Sequence, residues 1–304
     1  MPVGEAWEIV DRANAQSVVK NGPLAGKTLH ELMESAGKDI IGSHFIPEMR
    51  FPLLIKLIDT AACLSIQVHP DKSFCKEKQD GSEEKSEMWY ILRVQENAIL
   101  YAGLNQHLEK DTFRTMIEHH DDLQASLKKF QVAPGEVFYI KSGRIHAIGG
   151  GILLYEVQNN SDTTFRVWDW NRVDANGKSR TLHVQQALSC IDFDFDQDAT
   201  IPYPAGDQYH LFTEQIQDCP FNLAKITVSK SVQDSTSSDG ISSNFHILTA
   251  ADASAVITYA DGCLQIKPGQ SCLIPAATGD YTINALPDNS PVTILKATAV
   301  YSNS

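Results

Sequence analysis

The chain has 304 residues, 42% hydrophobic and 21% charged, and carries a formal net charge of −13. That length suits one large or two medium domains with an ample core. The acidic balance, with no Lys/Arg-rich run, argues against a nucleic-acid partner but leaves room for a local basic pocket that takes a small anion. No apolar run approaches the roughly 18 residues needed to span a bilayer, so no membrane partner is expected. The six cysteines (63, 75, 190, 219, 263 and 272) show no C-x-x-C pair, and no signal peptide precedes them; they read as reduced thiols of a cytoplasmic protein.

In chain order, Trp7–Val10 is a short strand. Gly26–Met33 is a helix start, with Thr28 as cap and Glu31 closing a capping box. Phe51–Asp59 is apolar except for Lys56, which is costly to bury unless paired, snorkelling, or facing a polar cavity. A strand over Ile66–His69 precedes a polar, loop-like Pro70–Glu84. Strands follow at Glu87–Val94 and Ala98–Leu104. The period then changes over 111–129, where Phe113, Met116, Ile117, Leu123 and Leu127 fit a small helical insertion with Asp111 as cap. Strands resume at Phe130–Val132, Val137–Ile140, Ile152–Val157 and Phe165–Trp170, and Leu182–Leu188 is a short helix. Gly149-Gly150-Gly151 implies unusual backbone angles or a close approach.

After a loop at Pro202–Asp207 come regularly spaced short strands from Phe221 to Ala297, with turns at Pro268-Gly269 and Asp288-Asn289 and a mobile Ser-rich loop over 229–243. Such spacing predicts a β-sandwich or barrel. The boundary falls at 205/206: residues 1–205 form a first domain carrying the insertion, and 206–304 a second domain without a catalytic cluster. Pro134–Ile140 and Lys267–Pro275 share a Pro-Gly turn followed by an apolar run, a hint of two related barrels.

The chemistry concentrates in the first half. Along Leu64–His69, alternation puts Leu64, Ile66 and Val68 on one face and Ser65, Gln67 and His69 on the other. With Glu87 and His146, also on or beside strands, this gives two imidazoles, a carboxylate and a carboxamide, a donor set that suits a divalent metal with an open position. Gln67 is either a ligand or a neighbour of the ligands. The bland alternative makes His69 and His146 hydrogen-bonded core histidines.

Phe51–Lys56, Leu64–Asp71, Lys85-Ser86-Glu87, Arg144–Ala147, Tyr155–Gln158 and Ser161–Arg166 together resemble type I mannose-6-phosphate isomerase in its short bacterial form. The resemblance runs over nearly the whole chain. It implies a mainly β fold of two cupin (jelly-roll) barrels with a small helical part, one Zn2+ per chain, and interconversion of mannose 6-phosphate and fructose 6-phosphate. By motif it makes Gln67, His69, Glu87 and His146 the metal ligands, and places Ser65, Lys56, Lys85 and Arg166 around the sugar phosphate. Arg172 falls near the phosphate position of longer members. Two departures stand out: Glu84 occupies the place of a histidine in the longer members, and Val167–Asn171 runs differently.

Arg166, always charged, suits charge developing on the substrate oxygens; its bland alternative is a salt bridge to Asp162 or Asp169. Lys85, Glu156 and a metal-bound water are the candidates for moving the proton. Ser65, Lys56 and Arg172 are the substrate-binding candidates. Trp89, Tyr90, Trp168 and Trp170 either wall the sugar or fill the core. Two competing functions are a cupin oxygenase, with two histidines and a carboxylate on iron, and a non-catalytic sugar-binding cupin. Oligomeric state is not legible.

Overall fold

The computed structural model describes residues 4–119, 121–193, 198–203, 206–237, 243–287 and 291–301. Its contacts divide the chain into two units: residues up to Ala6 with Ile58–Pro202, and Trp7–Leu57 with Tyr203 onward. This differs from the expected division in that 7–57 groups with the C-terminal residues. Within that second unit the Phe51 ring sits 4.6 Å from Phe245, and a Cβ on Gly42 would meet the Ser243 carbonyl at 2.2 Å. Residue 205, at the expected boundary, lies outside the described residues.

The chain begins with β1 (Glu5–Ile9), β2 (Asp11–Arg12), β3 (Ala15–Gln16), α1 (Leu29–Ile41) and β4 (Leu53–Thr60). The expected capping box is present: Thr28 Oγ1 accepts from Glu31 N, and Glu31 accepts from Thr28 N. Next come β5 (Ile66–Val68), α2 (Lys72–Lys78), β6 (Glu87–Val94), β7 (Ile99–Leu104), α3 (Lys110–Glu118), β8 (Leu127–Gln131), β9 (Val137–Ile140), β10 (His146–Ile148), β11 (Ile152–Asn159), β12 (Phe165–Trp168) and α4 (Val184–Cys190).

Two five-stranded sheets result, ordered β1-β4-β11-β6-β9 and β12-β5-β10-β7-β8. Their facing sides bury one cluster that includes Trp89, Ile91, Leu100, Ala102, Phe138, Ile148 and Leu154. The outer face of the second sheet (Ile66, Val68, Ala147, Phe165, Val167) packs with Phe74 of α2, Phe113 and Ile117 of α3, and Ala187 and Leu188 of α4. The helices therefore cover one apolar face, and the space between the sheets is an apolar core at one end and polar at the other. Gly149, just past β10, lies tight against the neighbouring strand β7 of the same sheet: a Cβ there would lie 2.0 Å from the Ile99 carbonyl oxygen. Gly151 has φ +79, so the triplet meets both expectations.

The second unit contains β13 (Tyr209–Leu211), β14 (Phe221–Val228), β15 (Ser231–Ser235), β16 (His246–Ala250), β17 (Ala255–Tyr259), β18 (Gly262–Ile266), β19 (Ser271–Ile274), β20 (Asp280–Ala285) and β21 (Val292–Ala299). They form sheets ordered β13-β14-β21-β16-β19 and β15-β20-β17-β18, with a core of Ile226, Leu248, Ile257, Ile266, Ile283 and Ile294 among others. The architecture is mainly β with few helices, as expected.

Several local expectations are corrected. The Pro70–Glu84 loop contains α2, because the Asp71 carboxylate accepts from Phe74 N at 2.7 Å and caps it. Asp111 does not cap α3; it lies in the first turn and pairs with Arg114 at 2.6 Å. Residues 127–129 belong to β8 rather than to the insertion. The strand from Phe165 stops at Trp168, because Trp170 and Asn171 adopt φ of +57 and +53. The Ser-rich loop contains β15; residues 238–242 of that stretch, and the turn at Asp288-Asn289, lie outside the described residues. Leu64 joins the core between the sheets rather than Ile66 and Val68, because β5 begins only at Ile66.

Candidate metal centre

The polar end of the first barrel holds the predicted donors. On β5, β10 and β12, Gln67 pairs with both His146 and Arg166, so the three side chains share one face of the sheet. His69 follows two residues after Gln67 and keeps that direction. Glu87 opens β6 on the opposing sheet. There it pairs with Gln158 of β11, while Trp89 pairs with Glu156, which places Glu87, Trp89, Glu156 and Gln158 on one face.

His69 Nε2 lies 3.1 Å from Glu87 Oε1, and His146 Nε2 lies 3.7 Å from Glu87 Oε2. The three donor atoms fall within 4.8 Å of one another, and all three residues are buried. Each imidazole is locked by its other nitrogen: His69 Nδ1 donates to the Thr163 carbonyl at 2.9 Å, and His146 Nδ1 to the Arg144 carbonyl at 2.9 Å. A carbonyl can only accept, so both rings carry their proton on Nδ1 and turn the bare Nε2 lone pair towards Glu87. Two lone pairs facing a carboxylate cannot satisfy one another. His69 Nε2 and Glu87 Oε2 accordingly have no hydrogen-bond partner although they are buried. That orphaned set is what a divalent cation would complete.

The charge state fits. Burial, and then the nearby Lys85 ammonium, push the His69 pKa down to about 3, and burial lowers His146, so both rings are neutral ligands. Burial works to raise Glu87, but the Lys85 ammonium beside it outweighs burial and holds the carboxyl well below its usual range. Lys85 is itself buried and sits 2.7 Å from Glu87 Oε1.

The remaining predicted residues take these places. The Gln67 amide nitrogen faces His146 Nε2 at 3.2 Å and its oxygen faces Ser65 Oγ at 3.4 Å, so all three side chains meet. Glu156 Oε2 accepts from the Trp89 indole at 2.7 Å, and that indole stands edge-on to His146 at 5.4 Å. Trp89 is thus a fully buried core residue that also positions Glu156. Arg166 donates Nη1 to the Thr181 carbonyl at 2.8 Å. Burial, and then Arg180 and Arg172, lower its pKa. Asp169, one of the two salt-bridge partners that the alternative reading offered Arg166, is buried and pairs with Arg172 and Arg180. Arg172 also donates to the Cys63 carbonyl at 2.6 Å, two residues before Ser65 in the segment that leads into β5. Lys56 belongs to the second unit, buried, with its ammonium 5.1 Å over the Trp7 ring. Sequence reasoning missed Arg180 as the second partner of Asp169. It also missed the carbonyls of Thr163 and Arg144, which carry no residue-type signal.

Residues 1–102 match the family described as phosphomannose isomerase type I, catalytic domain. The mannose-6-phosphate isomerase ManA of Bacillus subtilis is 33% identical over 284 residues, covering 92% of this chain and 86% of that one. The chain belongs to the mannose-6-phosphate isomerase family. A mannose-6-phosphate isomerase of Streptococcus mutans is 38% identical over 197 residues, 65% of this chain and 60% of its own. In solved structures, the B. subtilis mannose 6-phosphate isomerase superposes with a TM-score of 0.82 at 32% identity, covering 97% of this chain and 89% of that one. A zinc-bound mannose 6-phosphate isomerase shares the fold at a TM-score of 0.73 and 14% identity, covering 99% of this chain and 92% of that one. The expected mainly β, cupin-like fold agrees with these neighbours. All six cysteines are free, and no helix among the described residues is long and apolar enough to cross a membrane.

Proposed function

We propose that this member of the family is a zinc-dependent aldose–ketose isomerase that interconverts mannose 6-phosphate and fructose 6-phosphate, one zinc per chain. The observation that carries the reading is the buried His69–Glu87–His146 set, with both imidazole lone pairs fixed towards one carboxylate. His69, Glu87 and His146 would hold the metal. Gln67 would complete the set by turning its amide so that the oxygen, rather than the nitrogen, faces His146. Bound there, the zinc would supply Lewis-acid stabilisation of charge developing on O1 and O2 of the sugar.

The chain's own residues do the rest. Arg166, on the same face as Gln67 and His146, adds a fixed positive charge towards the developing oxyanion. Lys85 and Glu156 are the proton carriers of this reading: Lys85 beside Glu87, and Glu156 aimed by the Trp89 indole. Ser65, Lys56 and Arg172 are assigned to the substrate phosphate, which needs hydroxyl and cationic donors on an otherwise acidic chain. A buried lysine and a group of arginines suit an anionic sugar better than the apolar substrate or oxygen chemistry of a cupin oxygenase.

The test is fructose 6-phosphate formation from mannose 6-phosphate, followed by a coupled reductase, before and after chelation. Turnover that disappears with chelator and returns with Zn2+ is expected. Zinc-loaded protein without turnover would refute the activity and leave a sugar-binding cupin.

A further inference from the structure

Beyond β12 the chain turns and lies against the segment that leads into β5. Trp170 and Asn171 take φ of +57 and +53, a left-handed conformation that is uncommon outside glycine and rarer still for a bulky ring. Such strain persists only where the surroundings over-determine it, and two contacts do so here. The Trp170 indole donates to the Leu64 carbonyl at 2.7 Å, and Arg172 Nη1 donates to the Cys63 carbonyl at 2.6 Å. Two successive carbonyls just ahead of Ser65 therefore fix the turn.

The same arginine is held from its other side by Asp169. Arg172 Nε donates to the Asp169 carbonyl at 3.2 Å, and its Nη2 donates to the carboxylate Oδ1. Arg180 takes that carboxylate with both arms of its fork, Nε to Oδ2 at 2.8 Å and Nη2 to Oδ1. Burial works to raise the Asp169 carboxyl, but the hydrogen bonds from Arg180 and Arg172 outweigh it and hold it below its usual range. A buried carboxylate facing one guanidinium draws it into a two-pronged pair. Arg180 already occupies Oδ2, so Arg172 gives the carboxylate one arm only and keeps Nη1 on the Cys63 carbonyl.

The charge of the cluster points to an anion. Arg166 donates Nη1 to the Thr181 carbonyl, next to Arg180, and its buried Nε has no partner. Three guanidiniums and one carboxylate leave a surplus of two positive charges on a chain whose net charge is −13. A phosphate monoester carries close to two negative charges at pH 7.

We propose that Arg180 is a positioning residue for the substrate phosphate: by clamping Asp169 it fixes the Arg172 guanidinium on the Cys63 carbonyl, ahead of Ser65. Arg180 acts through Asp169 and Arg172, without a contact of its own to the sugar phosphate. The inference rests on the assignment of Arg172 and Ser65 to the phosphate. Two simpler roles predict different results. If the cluster drew phosphate by net charge alone, removing the Asp169 charge would tighten binding and Arg180→Lys would change nothing. If Arg180 only braced the turn, its variants would melt earlier and bind phosphate as before.

The test is steady-state isomerisation of mannose 6-phosphate by the zinc-loaded full chain, with inorganic phosphate as competing ligand. Arg180→Met and Arg180→Lys should each raise KM and the phosphate inhibition constant about tenfold, as for loss of one charge-assisted hydrogen bond. Turnover at saturation should stay within about twofold, the mark of lost binding rather than lost chemistry. Asp169→Asn should weaken phosphate as well, although it makes the cluster more positive. Arg172→Met alone and Arg172→Met with Arg180→Met should be alike, because nothing is left for Arg180 to position. The Arg180 side chain is 51% exposed, so its variants keep the fold and carry the test even where Asp169→Asn does not fold. Arg180→Lys with wild-type KM, tighter phosphate in Asp169→Asn, or a further loss when Arg180→Met is added to Arg172→Met overturns the proposal. Arg172→Met with wild-type KM removes Arg172 from the phosphate and the proposal with it. Zinc-loaded wild type without turnover would refute the isomerase instead, and calorimetric titration with inorganic phosphate should still rank the variants in the same order.

Discussion

Glu87→Gln is the sharpest probe of the metal centre, because it keeps the shape of the side chain and removes only its charge. Glu87 Oε1 takes the Lys85 ammonium at 2.7 Å, and the two oxygens stand 3.1 and 3.7 Å from the imidazole nitrogens of His69 and His146. Lys85 is 3% exposed. The substitution leaves that ammonium buried beside two neutral rings. Removing one partner of a buried ion pair costs about 3–5 kcal/mol. A ligand binding only the folded state at a thousand times its Kd adds about 4 kcal/mol, which the variant would also lose. The two effects separate if unfolding is followed with and without chelator. In chelator, a shift on the order of 10 °C in the first unit is expected, at roughly 2–4 °C per kcal/mol. With zinc the gap between the proteins should widen. Lys85→Met combined with Glu87→Gln should recover stability in chelator but not zinc binding. A chelator-treated Glu87→Gln that melts within about 3 °C of wild type, or one that keeps full zinc, would refute the reasoning.

Three further outcomes are expected. Arg166→Ala should keep its zinc and lose on the order of 100-fold in turnover, as for loss of one oxyanion donor; unchanged turnover in the coupled assay removes Arg166 from the reaction. Gly149→Ala should cost more than about 4 kcal/mol, because its Cβ would stand 2.0 Å from the Ile99 carbonyl, a backbone atom that cannot swing away; a urea midpoint near wild type would contradict that contact. In the second unit, burial and then Lys296 hold the His246 pKa down to about 4. A histidine lowered on folding binds fewer protons folded than unfolded, so its contribution is complete above about 6.5 and falls as pH drops towards 4. The loss is about 3 kcal/mol at 1.4 kcal/mol per unit, read as a fall in the urea midpoint between pH 7 and pH 4 that His246→Ala should flatten.

What the sequence determined by itself is local. Alternation along Ser65, Gln67 and His69 fixed a shared face, because a strand repeats every two residues whatever surrounds it. The Thr28–Glu31 capping box followed from a spacing of three. Motif order made Glu87 and His146 ligand candidates and Arg166 a neighbour of the site. The tertiary structure decided how those pieces meet, because strand register joins residues far apart in the chain. Gln67 and His146, 79 positions apart, became cross-strand partners, and Glu87 came to them from the opposite sheet. The imidazole proton positions depend on the Thr163 and Arg144 carbonyls, atoms every residue has, so no residue type announced them. Asp169 turned to Arg172 and Arg180 rather than to Arg166 because the reversed backbone at Trp170 and Asn171 ends the strand there. In the second barrel, Asp234, His246, Tyr281 and Lys296 lie far apart in the sequence, and strand register brought them into one hydrogen-bonded cluster.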